Sequence, residues 1–176
     1  SEYGFFKEPM DQLMPNEGVI PYQVASPLWA DHAGKARFIV LPPNEAIDGR
    51  QDDWVFPEGT ILIKNFFYSR DRRSPDDTAT LLETRLLVKE ADDWKGHTYI
   101  WNDALTEATR KVTGKRLRLQ FIDEEGEDGE REYIVPNTNQ CKDCHEINEQ
   151  SMPLGLVTRQ TRRTVDRDGT QVDQHT

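Results

Sequence analysis

Prolines recur through the first quarter of the chain at a spacing that rules out a long helix. They stand at positions 9, 15, 21 and 27 and as the pair Pro42–Pro43. A proline inside a helix removes one backbone hydrogen bond and clashes with the preceding turn. We therefore expect this region to wrap a core in extended segments and turns.

The middle of the chain carries short apolar or alternating runs of the kind that form β-strands. In the run at 81–89 (LLETRLLVK), alternation places Leu82, Thr84, Leu86 and Val88 on one face, although a helix is the competing interpretation. Asn102 or Asp103 is suited to cap a short helix over 104–111, which would close near Gly114. The predicted strands are 36–41, 60–68, 81–89, 97–101, 116–122 and 131–135, the last two forming a hairpin around the acidic turn DEEGEDGE.

These predictions give a mainly β fold, an antiparallel sheet or sandwich with one or two short helices. We expect a β-rich part at 1–135 and a C-terminal segment at 136–176, packed together as one unit. The chain has 176 residues and a formal charge of -10, from 32 acidic and 22 basic residues. That balance argues against nucleic acid as a partner and permits docking to a cationic protein, while solubility alone is the competing explanation. The longest apolar runs are strand-sized, so we expect no membrane span.

The segment 139–148 reads NQCKDCHEIN and holds both cysteines of the chain, followed directly by His145. Four chemistries compete for Cys141, Cys144 and His145. A structural zinc site needs four ligands, and no third cysteine exists to supply one. A redox-active dithiol belongs at a helix start in a βαβ unit, which the strand pattern does not offer. A disulfide between the two cysteines would leave the histidine without a role.

Covalent attachment of haem c gives all three residues a role, because CxxCH is the c-type attachment motif. The two thiols, three residues apart, can add to the vinyl groups of the porphyrin as thioethers. The imidazole of His145 can then ligate the iron from the proximal side. The sequence therefore predicts haem c held by Cys141, Cys144 and His145.

Several further runs resemble those of a family of bacterial exported proteins that carry one CxxCH. They are YGFF at 3–6, PY at 21–22, PLW at 27–29, PEGTILIK at 57–64, LETRLLV at 82–88, YIWN at 99–102 and VPNTNQC at 135–141. The resemblance implies a c-type cytochrome domain, a secreted or periplasmic location and a redox role. Some members of that family are appended to carbohydrate-binding modules in redox proteins of marine polysaccharide-degrading bacteria, which implies a longer parent chain and a link to polysaccharide degradation.

The distal iron ligand decides which chemistry a haem supports, since a filled position favours electron transfer and an open one favours ligand binding. Met152 is the first expectation, because Pro153 and Gly155 should end the helix and let the chain fold over the haem edge. The alternatives are His97 and Met14, followed by Met10, His32 and His175.

We therefore expect electron transfer rather than enzyme activity, with a redox protein as the partner. One alternative is a haem enzyme or gas sensor with an open distal position. The other is a structural or binding module in which the two cysteines form a disulfide.

Overall fold

A six-stranded antiparallel sheet forms the centre of the fold, with its strands in the order of the chain. The computed structural model describes residues 3–50, 54–147, 150–167 and 169–175, without the side chains of residues 142–144, 146, 147 and 150. The sheet strands are β1 (Val19–Tyr22), β2 (Gly34–Val40), β3 (Ile61–Ser69), β4 (Ala79–Glu90), β5 (Asp93–Trp101) and β6 (Ala108–Lys111). Because consecutive strands pair with each other, β2 to β5 are paired on both edges and carry the core.

One side of the sheet, here called the N-terminal face, is covered by the proline-rich beginning of the chain. Phe38, Ile63 and Leu86 are cross-strand partners on this face and are nearly or fully inaccessible to solvent. They pack against the buried side chains of Phe5, Phe6, Met10, Leu13 and Val19. The short 3₁₀ helix Met10–Gln12 lies within this cover. The extended wrapping expected from the prolines is thus what forms the core on this face.

The opposite side, here called the α1 face, is built from two apolar clusters with polar residues between them. The first cluster joins Leu62 and Trp94 to Leu156 from the C-terminal part of the chain. The second joins Ile100 to Tyr133 and Val135. Tyr133 and Val135 belong to the hairpin of β7 (Lys115–Ile122) and β8 (Asp128–Val135).

The remaining elements follow β8 along the chain and are all short. They are α1 (Thr138–His145), β9 (Glu146–Ile147), β10 (Gln150–Ser151), α2 (Thr158–Thr161), β11 (Thr164–Arg167) and β12 (Thr170–Asp173). The C-terminal part contacts the β-rich part through hydrogen bonds: Trp54 Nε1 donates to Thr158 Oγ1 at 3.1 Å and Arg163 Nη1 donates to the carbonyl of Val24 at 2.7 Å. The division at residue 135 into two parts stays a prediction.

The mainly β, antiparallel prediction is confirmed, and each of the six predicted strands overlaps an observed one. The predicted helix at 104–111 is wrong. Asn102 Oδ1 does accept hydrogen bonds from the backbone of Thr106 and Glu107, but it closes a loop. Leu105 adopts a left-handed backbone with φ of 53°, which a helix excludes. The residues that follow pair with β5 as the edge strand β6.

The predicted face of β4 is correct for three of its four residues and wrong for Leu82. Thr84, Leu86 and Val88 have cross-strand partners on the N-terminal face. Glu83 pairs with Phe66 and Leu81 with Phe67, so Leu82 is the extra residue of a bulge in β4. Such a bulge breaks strict alternation, and Leu82 packs with the Ile100–Tyr133 cluster on the other side.

Candidate haem-attachment site

The helix that carries the cysteines begins with a reciprocal pair of side-chain caps. Asn137 Oδ1 accepts a hydrogen bond from the backbone N–H of Gln140 at 2.9 Å, and Gln140 Oε1 accepts one from the backbone N–H of Asn137 at 3.0 Å. This is the capping-box arrangement, which satisfies two N–H groups that a helix start leaves unpaired. Thr138 N–H also donates to the carbonyl of Val112 at 3.1 Å and anchors the helix start. The capped start fixes where Cys141 lies.

Cys141, Cys144 and His145 all belong to α1. Positions three and four apart on a helix are neighbours on one side, so the backbone brings these three residues to the same side of α1. Cys141 is partly buried, and the side chain of Cys144 lies outside the described part of the structure.

A tight hairpin directly after α1 returns the chain to His145. Strands β9 and β10 pair with Ile147 opposite Gln150. Met152 N–H then donates to the carbonyl of His145 at 2.6 Å, and His145 Nδ1 lies 2.9 Å from the carbonyl oxygen of Met152. A carbonyl oxygen can only accept, so Nδ1 carries a proton, and in the neutral imidazole Nε2 then keeps its lone pair. In the described part of the chain Nε2 makes no hydrogen bond.

The surroundings of His145 lower its pKa and so favour the neutral imidazole. Burial is the main effect that lowers its pKa, the hydrogen bond to Met152 opposes it, and the charges of Lys64 and Arg85 lower it further. A metal ligand must be a neutral imidazole, and its other nitrogen is usually held by a backbone carbonyl or carboxylate. The tautomer and charge of His145 therefore fit iron ligation through Nε2, as a CxxCH haem requires.

A buried ionic network lies beside α1 on the same face of the sheet. Glu83 is fully buried and accepts two hydrogen bonds from Arg85, from Nε at 3.0 Å and from Nη2 at 2.5 Å. Tyr133 donates its hydroxyl proton to Glu83 Oε1 at 2.6 Å. The Arg85 guanidinium lies over the Phe66 ring at 4.3 Å. Pairing and stacking together fix the arginine in one place.

Arg85 is also close enough to the helix to interact with it electrostatically. Burial would lower the arginine's pKa, but hydrogen bonding to Glu83 and its charge raise it, with smaller contributions from Tyr133 and Cys141. Neither Glu83 nor Arg85 was singled out by the sequence. The sequence did carry a signal for this pair, the spacing E-x-R within the predicted strand 81–89. Residues two apart in a strand lie on the same face, so in a strand covered on both faces both charges are buried.

Two of the candidate distal ligands lie on the other side of the sheet from α1. His97 pairs with Leu86 in the register of β4 and β5, and Leu86 belongs to the core of the N-terminal face. Cross-strand partners project to the same face. Met10 is buried in that same core. The full thickness of the sheet therefore separates both side chains from His145.

Met14, His32 and His175 lie in three other places. Met14 is exposed and follows the Met10–Gln12 helix. His32 packs edge-on against the exposed Trp29 ring at 4.5 Å. His175 Nε2 lies 3.0 Å from Thr161 Oγ1, and its ring is 5.3 Å from that of Trp54.

Met152 is held against His145 by its backbone, on the Nδ1 side of the ring. Nδ1 and Nε2 point away from each other, so an iron bound at Nε2 would lie on the far side of the imidazole from Met152. With iron at Nε2, Met152 would therefore lie on the proximal side. Met152 as the distal ligand stays a prediction, with this geometry against it.

Comparisons with family models, with curated proteins and with solved structures give no match for this chain. Across the described ranges, no three His, Cys, Asp or Glu side chains come together as ligands for a metal ion. In that same part of the chain, no helix has the length and apolar character needed to cross a membrane.

Proposed function

We propose that the chain is a c-type cytochrome module that passes single electrons in a secreted or periplasmic redox chain. Cys141 and Cys144 hold haem c covalently, and His145 ligates its iron. Each thiol adds across one vinyl group: a carbon–sulfur bond forms, and the hydrogen goes to the neighbouring vinyl carbon. The haem supplies the one-electron chemistry, and the protein supplies ligation, burial and a docking surface.

The observation that carries this proposal is the hydrogen bond from His145 Nδ1 to the carbonyl of Met152, 2.9 Å long. It fixes the tautomer that leaves Nε2 available, one residue after the second cysteine of the motif. A partly buried histidine needs a hydrogen-bond partner in any role; the support for iron ligation comes from this tautomer together with two cysteines at helical spacing. The net charge of -10 suits a cationic redox partner, and a role in polysaccharide degradation rests on the family resemblance alone.

The direct test is expression in a host with a c-type cytochrome maturation system. We expect the pigment and the matching mass increase to survive acid–acetone treatment and denaturation, because thioethers resist both. Changing Cys141→Ser and Cys144→Ser together should remove the retained pigment. Colourless wild-type protein of unmodified mass would refute the proposal and leave the disulfide alternative.

A second candidate function, a haem enzyme or gas sensor with an open distal position, is favoured by one specific observation. Met152 is held on the Nδ1 side of His145, and His97 and Met10 belong to the N-terminal face. Carbon monoxide separates the two functions, since it binds only where the distal position is open or weakly filled. A spectrum of the reduced protein that carbon monoxide leaves unchanged supports electron transfer, and a shifted one supports the second candidate.

Matched substitutions locate the distal ligand directly. Met152→Leu keeps the backbone carbonyl that holds His145 and removes only the sulfur. If Met152 is not the distal ligand, this variant should keep the wild-type spectrum, as should His97→Ala. A Met152→Leu protein that newly binds carbon monoxide would restore Met152 as the distal ligand.

A further inference from the structure

Three cationic side chains form a straight row across the α1 face of the sheet. Arg37 of β2 is the direct partner of Lys64 on β3, and Lys64 is the direct partner of Arg85 on β4. Neighbouring strands lie about 4.8 Å apart, so the row spans about 10 Å between its outer backbone positions. Like charges directly opposite each other destabilise a sheet. Glu83 supplies a negative charge at the Arg85 end of this row, and the Arg37 end is the place where a further carboxylate would offset the repulsion.

The row lies between the two apolar clusters of the α1 face and is partly buried along its length. Burial is the main cause that lowers the pKa of Arg37, and the phenol of Tyr22 acts in the opposite direction. A partly buried arginine usually pairs with a carboxylate. Within the described ranges Arg37 makes no salt bridge, whereas Arg85 is already paired with Glu83.

The Arg85 end of the row meets the helix that carries the CxxCH motif. Arg85 interacts electrostatically with Cys141, and both Lys64 and Arg85 act on His145. The next position across the sheet, Thr98 on β5, is buried. The row thus leads from the attachment site outward over the sheet to Arg37.

We propose that Arg37 and Lys64 bind the propionate carboxylates of the covalently attached haem, with Arg85 held in place by Glu83 at the inner end of the row. This inference rests on the proposed function and adds the position of the carboxylate groups. Arginine matches a carboxylate with two parallel hydrogen bonds, and lysine binds it as a point charge. Arg37 and Lys64 would thus be haem-binding residues that contact its carboxylates rather than its iron.

The test is the midpoint potential of the matured protein with Arg37→Gln, with Lys64→Gln and with both changes. Removing a cation near the haem favours the more positive, oxidised iron, so each variant should have a lower potential. A tenfold shift in the oxidised-to-reduced balance corresponds to about 59 mV for one electron. We expect a shift of that order for Arg37→Gln and a larger one for the double variant.

Matched controls separate this effect from loss of charge in general. Arg118→Gln removes one positive charge from the exposed side of β7 and should leave the potential near the wild-type value. Arg37→Lys keeps the charge and should restore most of the potential, and it remains informative if Arg37→Gln folds poorly.

Retained pigment with potentials equal to the Arg118→Gln control would overturn the propionate site and leave the cytochrome proposal standing. Absence of pigment in the wild-type protein would overturn the proposed function itself.

Discussion

The two faces of the central sheet bury side chains by different means. On the N-terminal face, the cover is one continuous segment and the contacts of the core cluster are apolar, as between the Phe6 and Phe38 rings at 4.9 Å. On the α1 face, three separate covers meet: the β7–β8 hairpin, α1 and the C-terminal part. Between them lie a fully buried carboxylate and a row of cations. The N-terminal face also buries polar groups, because Trp101 Nε1 donates to Thr84 Oγ1 and Thr84 Oγ1 donates to Asn65 Oδ1. Those groups are uncharged, whereas the α1 face buries an ion pair.

The largest difference should appear when the buried carboxylate is removed. Glu83→Ala leaves Arg85 and the Tyr133 hydroxyl without their partner in a partly buried place. Breaking a buried pair in this way costs about 3–5 kcal/mol. Denaturant unfolding measures the loss, and Glu132→Ala, whose ion pair with Arg116 is exposed, should cost less than about 1 kcal/mol. Equal losses in the two variants would contradict the buried network.

A cavity on the N-terminal face should destabilise the fold without reaching the attachment site. Ile63 is fully buried, and Ile63→Ala should cost about 2–5 kcal/mol. The haem spectrum of the folded protein should stay that of the wild type, because the sheet separates Ile63 from α1. Ile134→Ala, at an exposed position, should change the unfolding free energy by less than about 0.5 kcal/mol. A changed spectrum in Ile63→Ala would show that the two faces are coupled.

Loss of a single hydroxyl tests the polar network more finely. Tyr133→Phe removes the 2.6 Å hydrogen bond to Glu83 and keeps the ring in the apolar cluster. A hydrogen bond to a charged group contributes about 1.5–3 kcal/mol, so the free energy of unfolding should fall by that amount. The comparison variant is Tyr3→Phe, whose hydroxyl contact with Tyr99 is exposed and 3.3 Å long. Similar losses of unfolding free energy in Tyr133→Phe and Tyr3→Phe would show that the hydrogen bond from Tyr133 to Glu83 contributes little to stability.

The smallest expected effect is the contribution of Tyr22 to the fall of unfolding free energy at alkaline pH. Burial raises the pKa of Tyr22 to about 12, and the charge of Arg37 opposes this rise. An unfolded tyrosine ionises near pH 10, so this phenol's contribution to stability is fully present below about pH 10 and is lost towards pH 12. Tyr22→Phe should therefore make the fall of unfolding free energy between those values less steep. An unchanged slope would place the Tyr22 hydroxyl in water.

Local patterns predicted most of the strands because their causes are local. Alternation in RLRLQFI and the turn before TILIKNFFY need no knowledge of distant residues. The helix predicted at 104–111 failed because a capping residue also closes loops, and pairing with β5 outweighed the helical preference of its neighbours. The prediction for Leu82 failed because Leu82 is the extra residue of a bulge in β4, and only the pairing of β4 with β3 shows that break in alternation.

The sequence by itself determined the CxxCH motif and most of the strand pattern, since each depends on residues within a few positions of one another. Only the tertiary structure decided that the Met152 carbonyl accepts a hydrogen bond from His145 and that His97 lies on the opposite face of the sheet from α1. It also decided that Arg37, Lys64 and Arg85 are cross-strand neighbours. Those relations depend on strand register and on which face each cover reaches. Register and cover are fixed by packing between residues far apart in the chain, which no short stretch of sequence encodes.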